Sequence, residues 1–191
     1  MKFRLVCPLL LAVLMLQGCI GAAIVGTAAI ATKTSTDPRT TGRQVDDTTL
    51  ELRVSNSLAE ELPSKKVSRV IVSAYQGQIL LIGQVPNQQL KTEAQRVVSH
   101  VEGVRDIYNE LRINHPISFS QVTKDSWITT KIRSQLLTTD KVKSTNVKVI
   151  TENGEVFLLG LVTHKQAQAA ANIASETEGV KRVTTVFNFI D

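Results

Sequence analysis

Cys7 and Cys19 are the two thiols of the chain, and both fall within its first nineteen residues. A thiolate can act as a nucleophile, an acylation site or a metal ligand, so their placement decides what chemistry is left to the rest. His100, His115 and His164 are scattered, with no second ligand at metal spacing, which reads as surface or capping residues. The neighbouring acids Asp46 and Asp47 suggest paired carboxylates, but helix capping is the simpler expectation for acids at a helix start. Tyr75 and Tyr108 lack a partner pattern, and no HExxH, phosphate-cradling glycine loop or G-x-S-x-G occurs. No enzymatic activity, cofactor or metal is therefore expected. What remains is a stretch suited to physical contact, "KDSWITTKIRSQLL" at 124–137. It holds the single tryptophan, Trp127, among Lys124, Lys131 and Arg133. An indole beside ammonium groups suits a bilayer interface, where the ring enters the headgroup layer and the cations meet lipid phosphates.

The segment that carries both cysteines, "MKFRLVCPLLLAVLMLQGC", reads as an export signal. Lys2 and Arg4 form a basic start, Leu5 to Leu16 an apolar run, and Gly18 and Cys19 a small-residue ending. "LMLQGC" resembles the lipobox of bacterial lipoproteins. That resemblance implies removal of residues 1–18 and acylation of Cys19, with palmitate among the acyl chains, as the mature N-terminus. By the sorting rule of such lipoproteins, Ile20 in place of an aspartate implies the outer membrane, facing the periplasm. The competing reading is an uncleaved span, because residues 5 to 31 are almost continuously apolar and a span needs only about 20. Glycines at 18, 21 and 26 and the cleavage-like ending oppose it. With Cys7 discarded and Cys19 acylated, the mature part holds no disulfide and no thiol nucleophile. Of 22 basic and 17 acidic side chains, loss of Lys2 and Arg4 leaves an excess of +3, too small to argue nucleic-acid binding. "IGAAIVGTAAIA" (20–31) is expected to lie along the membrane surface or pack on a partner. "TKTSTDPRTTGRQ" (33–45) has the composition of a flexible tether. Residues 19–45 thus form a lipidated N-terminus and tether.

From residue 46 the chain repeats itself. "DTTLELRVSNSL" (47–58) runs parallel to "DSWITTKIRSQL" (125–136), "QGQILLIGQV" (76–85) to "NGEVFLLGLV" (153–162), and "EGVRDIYNELRI" (102–113) to "EGVKRVTTVFNF" (178–189). Two domains are expected, 46–115 and 124–191, joined by a linker at 116–123. Each reads as a helix opened by Asp47 or Asp125, a strand at 67–74 or 147–151, and a tight "QG" or "NG" turn into a second, largely apolar strand. A helix carrying Leu90, Ala94, Val97, Val98 and Val101, or the alanines of 167–174, then leads to an alternating strand (Ile107, Leu111, Ile113 or Val183, Phe187, Phe189). The fold class is α+β: tandem αββαβ units, each a three-stranded mixed sheet covered on one face by two helices. Gly77 and Gly154 are expected at turns, Gly83 and Gly160 at a tight strand exit or a close helix–sheet approach.

The element order, the glycines at 83 and 160 and the "EGV" before the last strand resemble the BON domain. That family occurs in osmotically induced periplasmic proteins and is thought to engage phospholipid membranes. Lipobox, tether and two such domains together are similar to the dual-BON outer-membrane lipoproteins associated with division, outer-membrane stress and lipid binding. The family carries no established catalytic residues, so none is implied.

One copy serves as a control for the other. Leu50, Val54 and Leu58 on the first opening helix correspond to Ile128, Ile132 and Leu136, which already complete a core stripe. Trp127 corresponds to Thr49 and falls about 140° from the stripe centre at 100° per residue, together with Lys124, Lys131, Ser134 and Thr138. Leu137 lies beside that face. Residues 124–148 hold six basic and two acidic side chains; the counterpart 46–70 holds four and five. The expectation is that the second domain binds anionic phospholipid through Trp127, Lys124, Lys131, Arg133, Ser134, Leu137 and Thr138 and so supports outer-membrane integrity, including at division sites. The first domain would be mainly scaffold. Against this stands a packing role, with Trp127 sealing the first domain or the 116–123 linker near Phe119. A different class of function is a protein adaptor for an envelope enzyme, a division protein or outer-membrane assembly machinery.

Overall fold

The computed structural model describes residues 41–62 and 67–190. The expected signal peptide, Cys19, the 20–31 stretch and the expected tether up to residue 40 lie outside them. Leu50, Val54 and Leu58 recur every four residues, so they form one face of helix α1 (Thr41–Glu61) and are buried. Strands β1 (Arg69–Tyr75) and β2 (Gln78–Val85) follow, then helix α2 (Gln88–Ser99) and strand β3 (Asp106–Ile113). The second copy repeats the order: α3 (Phe119–Thr138), a 3-10 turn at Ser144–Asn146, β4 (Val147–Glu152), β5 (Glu155–Val162), α4 (His164–Ser175) and β6 (Arg182–Phe189).

In each copy the second strand is central, antiparallel to the first and parallel to the third. A parallel pair needs a crossover, and α2 and α4 supply it. Asn87 caps α2 through Leu90 N, and Thr163 and Gln166 form a capping box on α4. The first core joins the α1 stripe to Ala94, Val97 and Val98 of α2 and to Ile79, Leu81, Val85 and Leu111 of the sheet. The second joins Ile128, Ile132 and Leu136 to Val156, Leu158, Ala167, Ala170 and Ala174. Two α+β units of the expected kind are present.

Three expectations need correction. The opening helices start earlier, at Thr41 and Phe119, so residues 41–45 of the tether and 119–123 of the linker are helical. Pro116 ends the extended connection, and Ser118 caps α3 by accepting from Gln121 N at 3.3 Å. Asp47 and Asp125 do not cap their helices. Each sits in a helix interior and reaches across to the hairpin turn: Asp125 accepts from Asn153 N (2.7 Å) and Gly154 N (2.8 Å), Asp47 from Gln76 N (2.9 Å) and Gly77 N (3.1 Å). Those turns place Gln76, Gly77, Asn153 and Gly154 all at positive φ, so their backbone N–H groups point away from the hairpin and need a partner. Gly83 and Gly160 lie inside their strands rather than at an exit. A Cβ there would collide with the carbonyl oxygen of Arg69 or Asn146 on the neighbouring strand. At the ends of the last strands Ile113 and Phe189 are exposed, and Phe189 stacks on His164 with ring centroids 4.0 Å apart.

β2 is buried along its whole length, and β5 nearly so. Residues alternate faces along a strand, so Leu80 and Ile82 point away from α1 and α2, and Phe157 and Leu159 away from α3 and α4. These faces meet. With Tyr75 and Val186 they form one apolar cluster, flanked by Ile71, Ile150 and Leu161. Polar groups rim it: Glu152, buried, accepts from Arg69 Nε and Gln84 Nε2 at 3.0 Å each, and Asn188 donates to Gln78 at 3.0 Å. Arg112 pairs with Glu155, whose hydrogen bond raises the guanidinium further above its ordinary value, and Lys148 reaches Glu51 at 2.7 Å. The layers therefore run helix, sheet, sheet, helix, and the two helical layers face opposite ways.

Candidate membrane-contact site

α3 buries Asp125, Ile128, Ile132 and Leu136 and turns its other side outward. Trp127 is 54% exposed, Leu137 70% and Phe119 85%. Phe119 and Leu137 are eighteen residues apart, five full helical turns, so they share an azimuth at the ends of a line of about 27 Å. Trp127 lies between them along the axis, turned about 80° to one side of that line. The intervening outward residues are small hydroxyls that already bond their own helix: Thr123 donates to Phe119 O (3.1 Å), Ser126 to Val122 O (2.9 Å) and Thr130 to Ser126 O (2.9 Å). Hydroxyls satisfied in this way cost little to remove from water. Asp125 is the single acid of α3, and its carboxylate is consumed inward by the 153–154 turn and by Gln121 (2.9 Å). The outward face of the helix thus carries no negative charge of its own.

Cations cluster on one flank of the indole. Lys131 Nζ lies 4.6 Å from the Trp127 ring centroid, a cation–π contact, and 3.5 Å from Glu178 Oε2. A groove of about 780 Å³ opens beside the ring, with Gln121, Lys124 and Trp127 on one wall and Glu178, Gly179 and Lys181 on the other. Ser134 and Thr138 are exposed on the same face. Arg133 is not part of this cluster: its guanidinium donates to Val149 O at 3.1 Å on the β4 flank. Lys148, counted in the basic excess, is spent on Glu51 of the first domain. Sequence counting missed Phe119, assigned to the linker, and the 178–181 turn, which lies some fifty residues along the chain. The repeated "EGV" was the available signal for that turn. A tryptophan sealing the first domain or the linker would be covered, whereas this ring is open and Phe119 is more open still.

The first copy has no such face. Thr49, in place of Trp127, donates to Val45 O at 2.9 Å, and Val45 and Leu52 are exposed without an aromatic residue beside them on α1.

Residues 46–115 and 124–190 each match the sequence model of the BON domain. The chain is 52% identical over 183 residues to an outer membrane lipoprotein of Haemophilus influenzae, DolP, covering 96% of this chain and 94% of that one. It is 47% identical to a 21 kDa hemolysin of Actinobacillus pleuropneumoniae (81% and 79% covered) and 32% identical to osmotically-inducible protein Y of Escherichia coli (74% and 72%). No helix of the described residues is long and apolar enough to cross a membrane. With both of its domains matched, the chain belongs to the BON-domain family, as a two-domain lipoprotein of the outer membrane.

Proposed function

We propose that the second BON domain docks on anionic phospholipid along the outer face of α3. Trp127 enters the headgroup layer, Leu137 adds apolar contact, and Lys124 and Lys131 meet phosphates. One observation carries this reading: a half-exposed indole, overlaid by a lysine, on a helix face without an outward carboxylate. Acyl chains on Cys19 would already supply attachment. The second contact then orients the protein and selects lipid composition, a binding role in outer-membrane integrity, including at division sites. The two helical layers face opposite ways, so a bilayer on α3 leaves the α1 face turned to the periplasm. That face, with Val45 and Leu52 exposed, is the one open to an envelope partner under the adaptor reading.

Trp127→Glu tests the assignment in the mature chain made non-acylated by Cys19→Ser. Loss of binding to anionic vesicles at an unchanged melting temperature is expected. Retained binding, or capture of a single envelope protein without any affinity for lipid, refutes it.

A further inference from the structure

The ammonium of Lys131 is held from two sides, by the Trp127 ring at 4.6 Å and by Glu178 at 3.5 Å. Glu178 is 84% exposed and sits on the turn before β6, far from α3 in sequence. Among the residues lining the groove it is the only acid, facing Lys124 and Lys181. A cationic face whose own helix carries no outward acid has thus been given one carboxylate by the tertiary fold.

We propose that Glu178 is a specificity residue for lipid docking, occupying Lys131 in the free protein as an internal substitute for a lipid phosphate. The inference rests on the docking reading and deepens it. A carboxylate and a phosphodiester are both singly charged oxygen acceptors, and they compete for the same ammonium. An exposed pair of this kind is weak, so a dense anionic surface displaces it readily. A zwitterionic surface offers no net potential to do so, and it leaves Lys131 on Glu178. The same surface potential that attracts the lysines repels the carboxylate. Glu178 therefore raises the anionic lipid content at which the domain docks, and it sharpens discrimination between anionic and neutral membrane.

The experiment follows Trp127, the sole tryptophan, in the mature chain carrying Cys19→Ser. Vesicles contain brominated acyl chains and a graded fraction of anionic phospholipid, and quenching reports docking. Glu178→Gln is expected to bind about fivefold tighter at low salt, the equivalent of the ~1 kcal/mol that one charge is worth at an anionic surface. Its half-binding point moves to a lower anionic fraction, and the gain vanishes at high salt. Glu102→Gln, the same change at the matching turn of the first domain, is expected to shift affinity less than twofold. Wild-type or weaker affinity for Glu178→Gln overturns the inference, as does an equal gain from Glu102→Gln, which would reduce the effect to net charge. Quenching of wild type without a gain from Glu178→Gln removes this inference alone. No quenching of either protein removes the docking reading and the inference with it.

Discussion

Asp125 is 3% exposed and accepts three hydrogen bonds, two of them from the backbone of the β4–β5 turn. Asp125→Ala leaves Gly154 N–H buried without an acceptor and Asn153 N–H partly so. An orphaned buried donor costs about 1–3 kcal/mol. Gly154 carries the full penalty and Asn153 a fraction, so a loss of about 3 kcal/mol is expected. For a cooperative unit of this size that corresponds to a melting temperature lower by about 6–12 °C. Asp125→Asn keeps one oxygen and turns an amide NH2 toward the second N–H, so it rescues only part. Asp125→Ser, whose single oxygen is too short to span helix and turn, rescues nothing. Urea and thermal unfolding followed by circular dichroism, with Asp47→Ala as the matched variant in the first domain, measure this directly. A capping role predicts the reverse pattern, with serine and asparagine tolerated and alanine costing only about 1 kcal/mol. Full rescue by Asp125→Ser would refute the clamp.

Leu80→Ala, at the centre of the sheet-to-sheet contact, is expected to cost about 2–4 kcal/mol in urea titration, because the cavity lies between two rigid layers. Gly160→Ala drives a methyl into Asn146 O and should lower stability by about 2–4 kcal/mol, visible as a reduced urea midpoint. Lys148→Ala should leave vesicle binding unchanged and cost at most about 1 kcal/mol of stability, because its ammonium pairs with Glu51 across the domains at roughly one-third exposure. Leu137→Ser should weaken binding to anionic vesicles about fivefold, the loss of a partly inserted side chain, with melting shifted by less than about 2 °C because the residue is largely exposed.

The domain-to-domain contact explains a feature that periodicity alone leaves ambiguous. A largely apolar strand such as "QILLIGQV" is buried on both faces, and helices on one side of a lone domain cover only half of it. Leu80, Ile82, Phe157 and Leu159 need a second cover, and each domain provides it for the other. The buried Glu152 with Arg69 and Gln84 then fixes how the sheets register, since leaving any of these groups unpaired is costly.

Much of this molecule was readable in one dimension, because the information was local or repeated. Helical stripes such as Leu50–Val54–Leu58, the QG and NG turns and the twice-used element order follow from side-chain spacing and backbone sterics, which act over a few residues. The outward placement of Trp127 followed from the same geometry, with the first copy as control. The partners of the charged groups did not. Asp47 and Asp125 looked like caps until the hairpin turn, thirty residues away, came against them. Arg133 and Lys148 counted as lipid-facing charge until β4 and the first domain claimed them, and Glu178 entered the site only when the chain folded back. A charge is defined by what lies within a few ångströms of it, and for these residues those neighbours come from distant parts of the chain. Tertiary packing alone decides that.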